Sequence, residues 1–210
     1  MHMDEGESLG LAIHYELLDF DLMPTGAARL AAVLEEAEQR GFVGLNVTYP
    51  SKQAVVPLLH DLSPEARALH SVNTVLFRGG RRIGHNTDWW GFAESFRREM
   101  SDVNPRRVVL VGAGGAGAAV GYAMLKSGTL ELSVHDLERS RAAALAERMS
   151  GLFQHCRVTV CEDVAGAMTN ADGLVHATPT GMQKYPGIPV PADSLRPPLW
   201  VAEIVYVPLL

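Results

Sequence analysis

The residues with the most chemical capacity fall into two groups. The first is Gly112-Ala113-Gly114-Gly115-Ala116-Gly117, a G-x-G-x-x-G turn directly after the apolar run Val108–Val111. Glycines in that pattern let the backbone turn tightly and approach a pyrophosphate, whose charge rests on the N-terminus of the following helix. Asp136 ends the next apolar run, Leu132-Ser-Val-His-Asp136, 19 residues past Gly117. A carboxylate there accepts hydrogen bonds from adenosine ribose hydroxyls and repels a 2′-phosphate. The expected cofactor is therefore NAD. NADP is the weaker alternative, because Arg139 and Arg141 lie just beyond and could accept a phosphate. A glycine turn kept for helix–strand packing, with Asp136 a solvated strand end, is the plainer reading of the same residues.

The second group is polar: Asn46, Thr48, Lys52, Asn73, Thr74, Asn86, Thr87 and Asp88. They cluster at the ends of apolar segments, where open sheets place ligand contacts. Amide, hydroxyl, ammonium and carboxylate groups together suit a polyhydroxylated acid. A lysine beside a carboxylate can carry a proton to or from a secondary alcohol during hydride transfer. Taken singly, each of these residues also suits a cap or turn, and Asp88 could simply N-cap the helix from Trp89.

The elements that must position these groups can be read from periodicity and punctuation. Residues 3–9 read as the end of a helix stopped by Gly10. Residues 11–21 read as a strand. Pro24-Thr-Gly opens a helix whose apolar positions Leu30, Val33, Leu34 and Ala37 share one face, and Gly41 ends it. A short strand over 42–48 precedes a helix from Pro50-Ser51 to about Leu62, with Ser51 as N-cap. Ser63-Pro64-Glu65 starts a shorter helix. Strands over 72–77 and 82–86 are joined by a Gly79-Gly80 turn, and 88–100 is helical. Past Asn104-Pro105 strands and helices alternate: strands 107–111, 131–135, 157–161, 173–177 and 200–205, helices 115–127, 138–149 and 163–169. That alternation predicts a parallel sheet. The fold class is α/β. An N-terminal α/β substrate domain (1–103) precedes a Rossmann-like parallel sheet with helices on both faces (104–210).

Composition excludes several classes. The 210 residues are 47% hydrophobic and 20% charged, which is the balance of a packed globular chain. The net charge is −6, and only Lys52, Lys126 and Lys184 among the 18 basic residues are lysines. This argues against a nucleic-acid partner and against polybasic membrane docking. Val108–Leu125 is 18 residues without a charge, close to a membrane span in length, but its five glycines fit a strand, turn and helix. Cys156 and Cys161 match neither a disulfide framework nor a zinc spacing, so no metal is expected. With acidic residues and no apolar run at the N-terminus, the expected location is the cytoplasm. The expected partner is a small-molecule substrate, with the chain a monomer or a homodimer.

Longer segments carry a resemblance. They are Gly44-Leu-Asn-Val-Thr-Tyr-Pro-Ser-Lys52, Ser71-Val-Asn-Thr74, Gly84-His-Asn-Thr-Asp-Trp-Trp-Gly-Phe92, Val111-Gly-Ala-Gly-Gly-Ala116, Ala177-Thr-Pro-Thr-Gly-Met182 and Tyr206-Val-Pro208. Through them the chain resembles the shikimate dehydrogenase family, and most closely its NAD-preferring quinate/shikimate branch. The resemblance implies reversible, NAD(P)-linked oxidation of the C3 hydroxyl of shikimate or quinate. It implies that Lys52 transfers the proton with Asp88 as its partner, and that Thr48, Asn73 and Tyr206 hold the substrate. Gly112–Gly117 would hold the pyrophosphate, with Asp136 and Arg141 at the adenosine end. Thr178, Met182 and Ile204 would lie near the nicotinamide. NADP-using relatives carry Asn-Arg-Thr where this chain has Asp136-Leu137-Glu138, which agrees with NAD. The Lys/Asp pair would also serve an NAD enzyme of another hydroxy or amino acid, although Asn73 and Asn86-Thr-Asp88 favour the polyol acid.

Relatives also carry a Ser-rich loop ahead of the segment matching Met1-His2 and a His-Gln segment beyond the Tyr-x-Pro match, and both bind substrate. Three hydrogen-bonding side chains of that kind contribute about 2–5 kcal/mol. The alternative expectation is therefore a truncated, non-catalytic NAD-binding remnant of the family.

Overall fold

The computed structural model describes residues 2–19 and 27–205. The first part of the chain supplies helices α1 (His2–Ser8), α2 (Ala27–Gln39) and α3 (Pro64–Leu69), and strands β1 (Gly44–Asn46), β2 (Asp61–Leu62), β3 (Thr74–Arg78) and β4 (Arg81–His85). The strands form one sheet in the order β1-β3-β4-β2. β3 and β4 are an antiparallel hairpin turned at Gly79-Gly80, with β1 antiparallel to β3 and β2 parallel to β4. Leu30 and Leu34 of α2 pack with Val55, Val56, Ala66, Val72 and Val75, so the apolar spacing read from α2 faces this core.

Helix α4 (Asp88–Glu99) leads into the second sheet, built from β5 (Arg107–Val111), β6 (Glu131–His135), β7 (Arg157–Val160), β8 (Gly173–His176) and β9 (Trp200–Glu203). All five strands are parallel, in the order β7-β6-β5-β8-β9. The order reverses between β5 and β8, the point at which such sheets take ligands outside their C-terminal ends. The intervening helices are α5 (Gly115–Lys126), α6 (Arg139–Leu152) and α7 (Val164–Met168). Successive residues of β5 serve opposite faces. Val108 and Leu110 join the core under α4, α5 and α6, while Val109 and Val111 pack with Met168 and Leu174. A strand covered on both sides reads as an unbroken apolar run, and the uncharged stretch 108–125 is this strand, its turn and α5. Among the described residues no helix is long and apolar enough to cross a membrane.

The two sheets are held together by packing. Trp89 of α4 meets Tyr122 of α5 edge-on at 5.4 Å. Arg148 of α6 donates to the Leu69 carbonyl at the end of α3, 2.8 Å away. Trp200 of β9 packs against Phe96 with its ring tilted by 59° and donates its indole N–H to the Asn104 carbonyl.

Two expected elements differ. Residues 11–19 form no strand. Their alternation of apolar residues is present, but no ladder partner takes it up and Leu17 is 81% exposed. The rest of that expected strand, and the Pro24-Thr-Gly helix start, lie outside the described residues. The expected helix 51–62 is instead a turn, a single 3₁₀ turn at Val56–Leu58 and then β2. Pro57 has no N–H to give and its ring opposes an α-helical turn before it, so Ser51 caps no helix. Ser63 does cap α3, its hydroxyl accepting from Ala66 N at 3.1 Å.

Candidate active site

The glycine turn is shaped as its sequence requires. Gly112 has φ +109, and a Cβ there would lie 2.7 Å from the Ala177 carbonyl atoms. A Cβ on Gly117 would come within 1.9 Å of the Gly112 carbonyl oxygen. Gly114 is the N-cap of α5 and no side chain satisfies that helix start. The first-turn amides of α5 thus face an open backbone cradle suited to an anion. Asp136 sits at the end of the neighbouring β6. Its Oδ2 accepts from Ala113 N at 2.7 Å and its Oδ1 from Glu138 N at 2.9 Å. The carboxylate therefore braces the turn, and its remaining lone pairs are available to a ribose. Arg139 pairs with Glu162 and Arg141 with Glu138, each at 2.7 Å.

The polar cluster of the first sheet converges on Asp88, the first residue of α4. Lys52 Nζ donates to Asp88 Oδ2 at 2.7 Å, with side chains 19% and 31% exposed. Asn73 Nδ2 donates to Asp88 Oδ1 and to Thr87 Oγ1, both at 2.9 Å. Asn73 Oδ1 accepts from Thr87 N and Thr74 Oγ1, both at 3.1 Å. All four hydrogen-bonding positions of Asn73 are thus used within the protein, and its first effect is to hold Asp88 in place. Buried Asn86 adds a second brace, accepting from Asp88 N and donating to the Ser71 carbonyl, each at 3.1 Å. Asp88 is consequently no N-cap: its carboxylate is committed to Lys52 and Asn73. The Thr48 carbonyl accepts from Ser51 N at 2.9 Å, closing the turn that carries Lys52.

The two groups meet. A Cβ on Gly115 would lie 2.9 Å from both Lys52 Cβ and Ser71 Oγ. The Lys52 stem is therefore packed against the glycine turn, and the Lys52–Asp88 pair stands beside the N-terminus of α5. Thr178 follows β8 across from Gly112, and Ile204 donates its N–H to the His176 carbonyl at 3.1 Å. Met182 lies in a tight turn closed by Tyr185 N to Met182 O at 2.8 Å. Tyr206 lies outside the described residues.

Two features were not read from the sequence. The Tyr49 hydroxyl is raised above its ordinary value, first by the Tyr185 hydroxyl and then by burial, against the opposing charge of Arg141. His176 is buried between Glu203 and Thr178. The one available signal for it was a polar residue at the end of the apolar run Gly-Leu-Val-His176.

A family model described as the shikimate dehydrogenase substrate binding domain matches residues 1–75, which include Thr48, Lys52 and Asn73. A shikimate dehydrogenase (NADP(+)) of Streptomyces avermitilis is 47% identical over 211 residues, covering 100% of this chain and 72% of that protein. The chain belongs to the shikimate dehydrogenase family. A quinate/shikimate dehydrogenase (NAD(+)) of Corynebacterium efficiens is 40% identical over 212 residues, covering 100% of this chain and 75% of the relative. Among solved structures, quinate dehydrogenase from Corynebacterium glutamicum in complex with NAD superimposes with a TM-score of 0.84 at 38% identity, covering 98% of this chain and 74% of that one. Shikimate dehydrogenase relatives are oxidoreductases, and those matching here are named for both NAD(+) and NADP(+).

Proposed function

We propose that this chain is an NAD-dependent oxidoreductase that transfers a hydride reversibly between the nicotinamide and the C3 hydroxyl of shikimate or quinate. The carrying observation is the Lys52–Asp88 pair packed directly against the glycine turn at Gly115. A proton-handling pair and a dinucleotide cradle in contact are what alcohol oxidation by hydride transfer requires. We divide the chain into a substrate unit, 1–103, and a cofactor unit, 104–210.

The dinucleotide, when bound, supplies the hydride acceptor, or the donor in reverse. Gly112–Gly117 hold its pyrophosphate at the N-terminus of α5. The shape of the turn supports this, since side chains at Gly112 and Gly117 would fill it with their own atoms. Asp136 takes the adenosine ribose, and Thr178, Met182 and Ile204 border the nicotinamide half. Two points favour NAD over NADP. Asp136 places a carboxylate where the extra phosphate would sit, and Arg139 and Arg141 each already pair with a glutamate at the surface. Arg141 lies at the adenosine edge as the partner of Glu138.

Lys52 manages the proton. In the reductive direction its ammonium gives a proton to the substrate oxygen at C3, and in the oxidative direction the Lys52–Asp88 pair receives it. Asp88 aims the ammonium, and Asn73 and Asn86 fix Asp88. Thr48, Asn73 and Tyr206 contact the substrate hydroxyls, Asn73 by exchanging its bond to the Thr87 hydroxyl. Shikimate carrying deuterium at C3 tests the reaction. Deuterium recovered in the reduced dinucleotide is expected, and a product formed with the label retained or lost to water would overturn the reading.

A further inference from the structure

The ends of β5 and β8 flank the point where the strand order reverses. A Cβ on Gly112, at the end of β5, would lie 2.7 Å from Ala177 and 3.0 Å from Thr178 Cγ2 beyond β8. Thr178 therefore stands beside the glycine turn. Behind it runs a polar chain to which the proton-handling pair assigns no role. His176 is 1% exposed. Its Nδ1 lies 2.8 Å from both carboxylate oxygens of Glu203 on β9. Its Nε2 is within hydrogen-bond distance of Thr178 Oγ1, which in turn accepts from Thr180 N at 3.1 Å. Val205 N donates to Glu203 Oε1 at 2.9 Å, fixing the carboxylate.

The directions of these bonds follow from donor and acceptor types. A carboxylate only accepts, so Nδ1 of His176 carries the ring proton. With a single ring proton held at Nδ1, Nε2 is the acceptor and the Thr178 hydroxyl donates to it. With its proton committed inward and one lone pair taken by Thr180, that hydroxyl can offer a ligand only an acceptor. Packing alone does not explain the arrangement, since an aliphatic side chain would fill the end of β8 without burying an imidazole that needs two partners.

We propose that the Glu203–His176 pair is a positioning device that fixes Thr178 as a hydrogen-bond acceptor for the nicotinamide half of the dinucleotide. The carboxamide NH2 is the donor of matching chemistry. The inference rests on the dinucleotide reading above and adds the residues that orient its reactive end.

The test compares two ligands on the full chain: NADH, and ADP-ribose, which lacks the nicotinamide. His176→Ala should weaken NADH binding about 5- to 10-fold, the effect of one lost hydrogen bond, and leave ADP-ribose binding within about twofold. Thr178→Val should reproduce that pattern, and the double variant should add little to it. His176→Gln places an amide oxygen near the position of Nε2 and should recover most of the NADH affinity. Should the alanine variant fail to fold, the valine and glutamine variants carry the same comparison. Equal losses for both ligands would make His176 a general prop of the sheet and overturn the proposal, as would unchanged NADH binding. An unsubstituted chain that binds ADP-ribose and NADH equally well would overturn it too, while leaving the dinucleotide site intact. Binding of neither ligand would instead refute the dinucleotide reading, and this inference with it.

Discussion

Replacing Lys52 by methionine removes the ammonium and keeps most of the stem. That distinction matters because the stem has a packing role: Lys52 Cβ and Cδ lie 2.9 and 3.4 Å from where a Gly115 Cβ would be. Alanine would leave a gap beside the glycine turn, whereas methionine fills it. What Lys52→Met loses is the 2.7 Å bond to Asp88 and the proton it delivers. Loss of a general acid–base group costs roughly 10²- to 10⁴-fold in turnover, or about 2.7–5.4 kcal/mol of barrier. The Asp88 carboxylate keeps Asn73 Nδ2 as a partner and, being 31% exposed, gains water in place of Lys52, so the fold should tolerate the change. The assay is the initial rate of NAD reduction at saturating shikimate, alongside NADH affinity from nicotinamide fluorescence. The expected result is the stated loss of turnover with NADH affinity within about twofold, because only an interaction made at the reacting centre is removed. A parallel loss of turnover and NADH affinity would show that Lys52 shapes the cofactor site and refute the proton-transfer role.

Other consequences follow from the same geometry. Gly117→Ala forces a Cβ to within 1.9 Å of the Gly112 oxygen, and overpacking of that kind costs about 1–3 kcal/mol. Calorimetry should show NADH binding lost or much weakened and scanning should show a lower Tm, whereas unchanged binding would mean the turn is not the pyrophosphate cradle. Asp136→Ala should narrow the kcat/KM preference for NAD over NADP, and an unchanged ratio would sink the ribose assignment. The same variant releases Ala113 N and Glu138 N, so its Tm should also fall. Glu94, bonded to Arg97 and Arg98, has its carboxyl lowered to about 2. Its small contribution to stability is complete above the ordinary carboxylate value and is lost as pH falls toward 2. An NMR titration of Glu94 should show its midpoint well below that of an isolated glutamate.

The second sheet was the more legible part of the chain because its signals are local. β5, the glycine turn and α5 are adjacent in sequence, and a strand buried on both faces announces itself as Val-Val-Leu-Val. The β3–β4 hairpin was equally plain from Gly79-Gly80. Misreadings arose where one residue or one missing partner decides the outcome. Pro57 turns an otherwise helical pattern into a 3₁₀ turn and a short strand. Residues 11–19 have strand periodicity without a ladder to join. At the site, residue types pointed to Lys52 and Asp88, but the commitment of Asn73 to four internal bonds depends on the register of β3 against β4. The His176–Glu203 contact depends in the same way on β8 pairing with β9. Pairs of that kind, 27 residues apart, leave no spacing signature. The pairing of Arg139 with Glu162 was hidden for the same reason.

The most direct test is NAD reduction by the purified 210-residue chain, with shikimate and then quinate at high concentration and NADP as the control cofactor. Turnover with NAD and little with NADP is the predicted result. It would tie the Lys52–Asp88 pair, the glycine turn and Asp136 to one reaction. NAD binding without turnover on either substrate would contradict the account, leaving a dinucleotide-binding sheet whose neighbouring proton pair has no alcohol to act on.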